Sequence, residues 1–513
     1  MKLAPPRRWR AWLVPGACLC ALAGACVGPN FKRPAPPKVE SYTLGGLPKE
    51  TASAPGAAGA AQKFLNEAEV PRNWWTLFGS TQLDELVTQA LRANPEVLSA
   101  QAALRQALEN TAAQRGSYFP LVQGSFDATR NRDPTGVLQP NLASGATVYN
   151  LFTPQVTVSY VPDIFGANRR QVESLAAQAE AQRFQLDATY LTLTANVVTA
   201  AIQDAALRAQ IEATQRVIAL EQQSLDVLKR ELELGAVAEA DVYALEAALA
   251  QFEATLPPLN RQLETTRDQL AVLTGRVPAD YQPLTLELDQ LTLPEDLPLG
   301  LPSQLVERRP DVRAAEAQLH AATANVGVAI ANLLPQFTIT GDIGSTASLM
   351  SQLFKAGTGF WSIGANATQT LLDGGTAYHH MRAADAALDQ AGADYKSAVL
   401  TAFQNVADSL HALDTDAQAL SAASRAESAA QKSLGVARRQ LELGSVSYVA
   451  LLIGEQTYQQ AVIARIQARA NRLEDTAALF QALGGSIAPP RSGIGGHDAA
   501  GQEIGNSPDT RAH

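Results

Sequence analysis

Beyond position 26 the sequence holds no cysteine; the three it contains are Cys18, Cys20 and Cys26. A chain cut just before Cys26 therefore keeps a single thiol, and disulfides are excluded from its fold. Histidine is scarce too, and His320, His379, His380, His411, His497 and His513 show no metal-ligand spacing such as HExxH. His379 and His380 are adjacent, so on a helix they point about 100° apart and chelate poorly; they read as solvated or packing residues. No glycine loop of phosphate-cradling form occurs. These gaps leave no catalytic residue, metal site or cofactor to assign, and the chain does not read as an enzyme. Aromatics make up only 6% and charged residues 18% of the sequence, while alanine is abundant, a mixture that suits long helices. The net charge of −10 speaks against nucleic acid, since nothing could neutralise many phosphates. After the extreme N-terminus no apolar run approaches about 18 residues, so no spanning helix is expected. Only 3 methionines, one of them the initiator, disfavour a methionine-lined copper or silver route.

The N-terminus is informative. Lys2, Arg7, Arg8 and Arg10 precede an apolar stretch from Ala11 to Ala25, the pattern of a secretory signal peptide over residues 1–25. It closes as Leu22-Ala23-Gly24-Ala25-Cys26, which resembles a bacterial lipobox with small residues ahead of an acylated cysteine. Lipid on Cys26 would supply more than one acyl chain and hence a stable anchor. The plainer alternative is an ordinary cleaved signal with Cys26 left free. Val27 follows where an aspartate would signal inner-membrane retention. Residues 26–70, rich in Pro, Ala and Gly, read as a lipid-anchored tether, and 486–513 as a disordered tail.

Between these ends the sequence repeats itself. Asn94-Pro95-Glu96-Val97 returns 215 residues on as Arg309-Pro310-Asp311-Val312, and Phe119-Pro120 returns at the same offset as Leu334-Pro335. Leu232-Glu233-Leu234-Gly235 recurs unchanged as Leu441-Glu442-Leu443-Gly444, 209 residues on, and Glu246 matches Glu455 at that offset. We read a tandem duplication with units over 71–290 and 291–485. Each unit runs helix, two strands, very long helix, turn, helix, with helices near 81–116, 167–234 and 237–275, then 303–333, 376–443 and 446–484. The long helices carry heptads: Ile211, Ile218, Leu225 and Leu232 are seven apart, and Phe403, Val406, Leu410, Leu413, Ala417 and Leu420 alternate steps of three and four. A helix of about 68 residues is roughly 100 Å long, and the two shorter helices of a unit match that when stacked end to end. Such rods form a wall.

Four segments alternate with period two. Val122, Gly124, Phe126 and Ala128 oppose Gln123, Ser125, Asp127 and Thr129; Val156, Val158 and Tyr160 oppose Thr157 and Ser159. Phe337, Ile339 and Ile343 oppose Thr338, Thr340 and Asp342; Trp361, Ile363, Ala365 and Ala367 oppose Ser362, Asn366 and Thr368. Strands that face lipid on one side and water on the other read this way, and so does any half-buried soluble sheet. A spanning barrel needs about eight strands or more and tolerates no open edge, so four per chain must be shared between copies. Two chains would supply eight and three twelve, and the pattern does not choose.

Several motifs, in this order and spacing, resemble the TolC-type outer-membrane efflux family in its lipoprotein branch. Cys26-Val27-Gly28-Pro29-Asn30-Phe31 is one residue shorter than that family's Cys-x-Val-Gly-Pro-x-aromatic start, and Trp74-Trp75-x-x-Phe78 resembles its approach to the first helix. Leu301-Pro302-Ser303-Gln304-Leu305-Val306-Glu307-Arg308-Arg309-Pro310-Asp311-Val312, continued by Ala314-Ala315-Glu316-Ala317-Gln318-Leu319, is very close to its mid-chain signature. Leu372-Asp373-Gly374-Gly375 and Asp163-Ile164-Phe165-Gly166 match the turns from strand into long helix. The resemblance spans Cys26 to about Gly485.

It implies a mainly α fold with a membrane β-barrel portion: a homotrimer with a 12-helix α-barrel of coiled-coil helices in the periplasm and a shared 12-strand barrel in the outer membrane. The implied role is the passive exit duct of a tripartite RND-type efflux pump, with a periplasmic adaptor, an inner-membrane transporter and outer-membrane lipid as partners. The turns at Leu234-Gly235 and Leu443-Gly444 would form the constricted tip where the adaptor docks. Asp241 stands where the family often carries an aspartate facing the constriction; it reads as a ring of three carboxylates and equally as a first-turn helix cap. Its second-copy position is Ala450, so a ring of six is not expected. Glu231 and Gln440 occupy the positions of a family arginine, with Arg230 and Arg439 one step earlier, so its salt-bridge latch does not transfer. The alternative from another class is a periplasm-spanning structural lipoprotein without a pore.

Overall fold

The computed structural model describes residues 27–132, apart from 40, 47 and 67, and residues 148–485. The expected signal peptide, Cys26 and the expected C-terminal tail lie outside the described residues. Among those described, the second half repeats the element order of the first.

In the first half, helix α1 (Thr81–Ala93) is followed by α2 (Pro95–Arg115), strands β2 (Leu121–Arg132) and β3 (Val148–Tyr160), and helices α3 (Ala167–Glu233) and α4 (Glu239–Leu273). The second half has α5 (Pro302–Arg308), α6 (Pro310–Ala331), β5 (Gln336–Ser345), β6 (Gly359–Thr368), α7 (Thr376–Glu442) and α8 (Tyr448–Ala482). Helices α3 and α7 are each 67 residues, and α4 and α8 each 35. At 1.5 Å per residue the long pair spans about 100 Å.

Both expected first helices are in fact two. The break falls before Pro95 in one half and before Pro310 in the other, because a proline clashes with a helical conformation in the residue ahead of it. Asn94 and Arg309 accordingly lie extended, with ψ of 127° and 122°. Asn94 also caps the new helix, accepting hydrogen bonds from the Glu96 amide at 2.8 Å and the Val97 amide at 3.4 Å.

Helix α3 is central: it packs on α2, α4, α6 and α8, while α7 packs on α6 and α8. Most of the apolar core sits midway along the rods, where Trp74, Phe78 and Leu83 meet Tyr190 and Ile202 of α3 and Leu473 and Phe480 of α8. The heptad positions Val406, Leu410, Leu413, Ala417 and Leu420 are buried, as coiled-coil packing requires.

Part of the segment expected as a tether is docked onto this core. Strand β1 (Lys63–Asn66) pairs in parallel with β4 (Asp296–Leu299). Just before it, the buried Gln62 amide donates to the Pro294 carbonyl at 2.9 Å and to Thr476 Oγ1 at 3.0 Å. The fully buried Arg472 donates to the carbonyls of Ala58 and Ala60 and to Thr51 Oγ1 at 2.7–2.9 Å. Proline and alanine permit an extended path, and these buried donors hold it in place.

Candidate functional site

The four alternating segments form one antiparallel sheet in the order β2-β3-β5-β6. Its central pair, β3 and β5, joins the two halves of the chain; Val156 lies beside Ile343 and Thr157 beside Asp342. Register then sorts the faces. One row across the sheet reads Gly124, Val156, Ile343, Trp361, and the next Gln123, Thr157, Asp342, Ser362. On the polar face Asp342 accepts from Thr157 at 2.7 Å and from Ser362 at 3.0 Å. On the other, Trp361 and Ile363 are each 75% exposed, and Val122, Phe126 and Ile343 are exposed with them. Among the described residues, strands β2 and β6 have no neighbour on their outer edges. An exposed apolar face flanked by two open edges is a surface that none of the described residues completes.

Below the sheet, each long helix starts from an acidic turn. Asp163 accepts from the amides of Asn168 and Arg169 at 3.0 and 2.9 Å, and Asp373 from those of Gly375 and Ala377 at 2.9 and 2.7 Å. Those amide donors, Ala377 foremost, hold the Asp373 carboxyl below its usual range. The first described residues are clamped at this level. The Val27 amide donates to the Phe165 carbonyl at 3.3 Å, and Arg170 donates to Asn30 Oδ1 at 2.6 Å. Gly28, with φ of +91°, lies so near Gly327 that a Cβ would come 2.5 Å from its Cα. Phe31 stacks on His320, whose Nε2 lies 2.9 Å from Glu173, so this histidine is a packing residue. Cys26 is outside the described residues, but the residue after it sits at the junction of strands and rods.

At the opposite end the chain turns at Gly235 and Gly444, with φ of +73° and +69°. In each turn the amide after the glycine bonds back over five residues, Ala236 to Glu231 at 2.8 Å and Ser445 to Gln440 at 2.9 Å. That is the usual way glycine ends a helix. Leu234 and Leu443 project from the two turns, 83% and 82% exposed. Asp241 accepts from the Ala238 amide at 3.4 Å, the geometry of a helix cap.

The matched glutamates Glu246 and Glu455 take equivalent partners, Lys229 at 2.7 Å and Arg438 at 3.2 Å, each on the preceding long helix. Each hairpin thus carries one ion pair between its two helices. Sequence reading found the glutamates through the repeat and missed their partners. It also missed Glu221, buried on α3, because a charge in a heptad reads as a solvated position. Arg170 and Gly327 escaped for another reason: their roles exist only once the N-terminal segment is folded onto them. Among the described residues no group of three or more His, Cys, Asp or Glu could hold a metal, and no helix is long and apolar enough to cross a membrane.

Comparison with known proteins agrees in sequence and in structure. The sequence model of a family described as outer membrane efflux protein matches residues 86–276 and 301–485. The pyoverdine export outer membrane protein OpmQ of Pseudomonas aeruginosa is 27% identical over 439 residues, 84% of this chain and 91% of that protein. The cation efflux system protein CusC of Escherichia coli is 26% identical, over 92% of this chain and 98% of the relative. Among solved structures, the outer-membrane channel OprN superposes with a TM-score of 0.80 at 28% identity, covering 90% of this chain and 99% of that one. The open state of the MtrE outer membrane channel of Neisseria gonorrhoeae gives 0.76 at 26%, with coverage of 90% and 99%.

Proposed function

The chain belongs to the outer membrane efflux protein family, and on that premise we propose that three copies close a shared barrel in the outer membrane over a hollow stack of rods. This assembly is the passive exit duct of a tripartite pump. The incomplete sheet carries the reading: four strands, two open edges and an apolar outer face. Each unpaired backbone group on those edges would cost several kcal/mol in hydrocarbon. Three chains remove every edge with twelve strands, and the Thr157-Asp342-Ser362 face then lines water.

The rods continue the cylinder into the periplasm. Their turns, with Leu234, Gly235, Leu443 and Gly444 at the tip, offer apolar projections to a periplasmic adaptor, through which an inner-membrane transporter delivers cargo. Lipid on Cys26 is supported by the clamp at Val27 to Phe31, which holds Val27 against Phe165 at the foot of the strands. Asp241 contributes a ring of three carboxylates near the axis while also capping α4. The names of relatives at similar identity range from pyoverdine export to toluene and cation efflux. Cargo choice therefore belongs to the transporter more than to this duct.

Reconstitution in planar bilayers tests the reading. The purified protein should behave as a detergent-solubilised trimer and conduct with cation preference, and Asp241→Ala should lower that preference. A soluble monomer, or a trimer that never conducts, would favour a periplasm-spanning scaffold and sink the duct. Unchanged reversal potentials in Asp241→Ala would remove the ring alone.

A further inference from the structure

The seam between the two hairpins contains a carboxyl where a coiled coil places an apolar residue. On α3 the core positions near the tip are Thr214, Ile218, Glu221, Leu225 and Leu228, stepping by four and three. On α8 the same stepping runs Leu452, Glu455, Gln459. Glu221 and Glu455 face each other across this seam at 1% and 8% exposure. Apart from the Glu455 carboxyl it faces, no group among the described residues hydrogen-bonds Glu221, whereas Glu455 takes Arg438 of α7 on one oxygen.

The surrounding groups leave a charge imbalance. Helix α8 adds Tyr448, whose phenol burial keeps neutral. Helix α4 adds the apolar Leu245 and Leu249 to the same layer, and the Lys229–Glu246 pair nearby is already balanced. One guanidinium therefore serves two carboxyls. An unpaired buried carboxylate is costly enough that the group keeps its proton instead. Burial first, and the facing Glu455 next, push the Glu221 carboxyl up to about 8, with Arg438 opposing.

We propose that Glu221 and Glu455 form a proton-operated clasp between the hairpins: with one proton held the seam stays shut, and its loss to solvent drives the hairpins apart. This layer lies about 20 Å above the turn at Gly235. If those turns bound the mouth of the duct, as the functional reading above has it, proton loss also opens the duct. The sign follows from linkage. An open seam hydrates Glu221 and returns it to the ordinary carboxyl range near 4.3, so opening becomes easier as pH rises from there. The gain levels off above about 8, where the closed seam too has lost its proton.

The test places spin labels at Leu234→Cys and Leu443→Cys in the full-length trimer. With Cys26 acylated or replaced by serine, no other thiol follows the expected leader. The distance between hairpins should grow as pH is raised from about 5 to about 9.5. Glu221→Gln should stay at the short distance throughout, and Glu246→Gln should follow the wild type. A wild-type distance that ignores pH, or a Glu221→Gln curve matching the wild type, overturns the clasp. Should Glu221→Gln fail to assemble, Glu455→Gln decides. It frees Arg438 to pair with Glu221, so it too should stay short, and a wild-type curve there is equally fatal. Conductance recorded on the same samples separates the two readings: distances that respond without any current would end the duct and leave the clasp standing.

Discussion

Asp416 of α7 shows how a single side chain can set pH dependence in a long coiled coil. It faces Glu474 and Asp475 of α8, and burial first, then Asp416, pushes both of these up to about 7. Such groups bind protons more tightly folded than unfolded, so folding takes up protons between the ordinary carboxyl range and about 7. Stability therefore falls as pH rises through that window and levels off above it. Asp416→Asn removes the shared charge and keeps a hydrogen-bonding group. Its thermal midpoint should exceed the wild type's at pH about 8 and differ little at pH about 5; equal shifts at both would mean that charge is not the cause. Arg472 is the cationic counterpart. Burial lowers its pKa to about 10, yet it stays charged at neutral pH and spends its donors on Thr51, Ala58 and Ala60. Neither group stood out in the sequence, since a lone Asp or Arg on a helix is most often solvated.

At the level of elements, two glycines of similar conformation do different work. Gly235 at the tip has φ of +73° and nothing within 4 Å of where a Cβ would lie. Gly235→Ala therefore meets only the left-handed backbone penalty, about 1 kcal/mol, confined to the turn. Gly28→Ala adds a collision with the Gly327 backbone and should release residues 27–31 from α3 and α6. Hydrogen exchange should show Gly235→Ala loosening the ends of α3 and α4, and Gly28→Ala deprotecting the start of α3 with little change at the tip. The reverse pattern would refute this assignment. Helix breaks follow the same local logic. Pro95 and Pro310 end helices because the residue ahead of each lies extended. Pro257 and Pro258 sit inside α4 without ending it. Their neighbours Glu253 and Ala254 are exposed, so water can serve the carbonyls left without a donor.

For the whole molecule the decisive surface is the sheet. If its apolar face meets lipid, arginine there should cost about 2–4 kcal/mol near the bilayer midplane, while the polar face should tolerate it. Ile363→Arg is thus expected to prevent detergent-stable trimers in the outer membrane, and Gln123→Arg to leave them assembled. Semi-native electrophoresis of membrane fractions distinguishes the outcomes. If both variants assemble alike, the apolar face does not contact lipid.

What the sequence determined by itself was what short local patterns carry: rods from heptads, strands from alternation, turns from glycine, and two halves because such motifs return 209 and 215 residues on. Such signals survive in one dimension because each rests on residues a few positions apart. Only the tertiary structure decided that β1 pairs with β4, that Arg472 holds the loop from Thr51 to Ala60, that Val27 to Phe31 lie against Arg170 and Gly327, and that Glu221 meets Glu455. These contacts join segments more than a hundred residues apart. Their energies come from burial and from partners that no local pattern encodes.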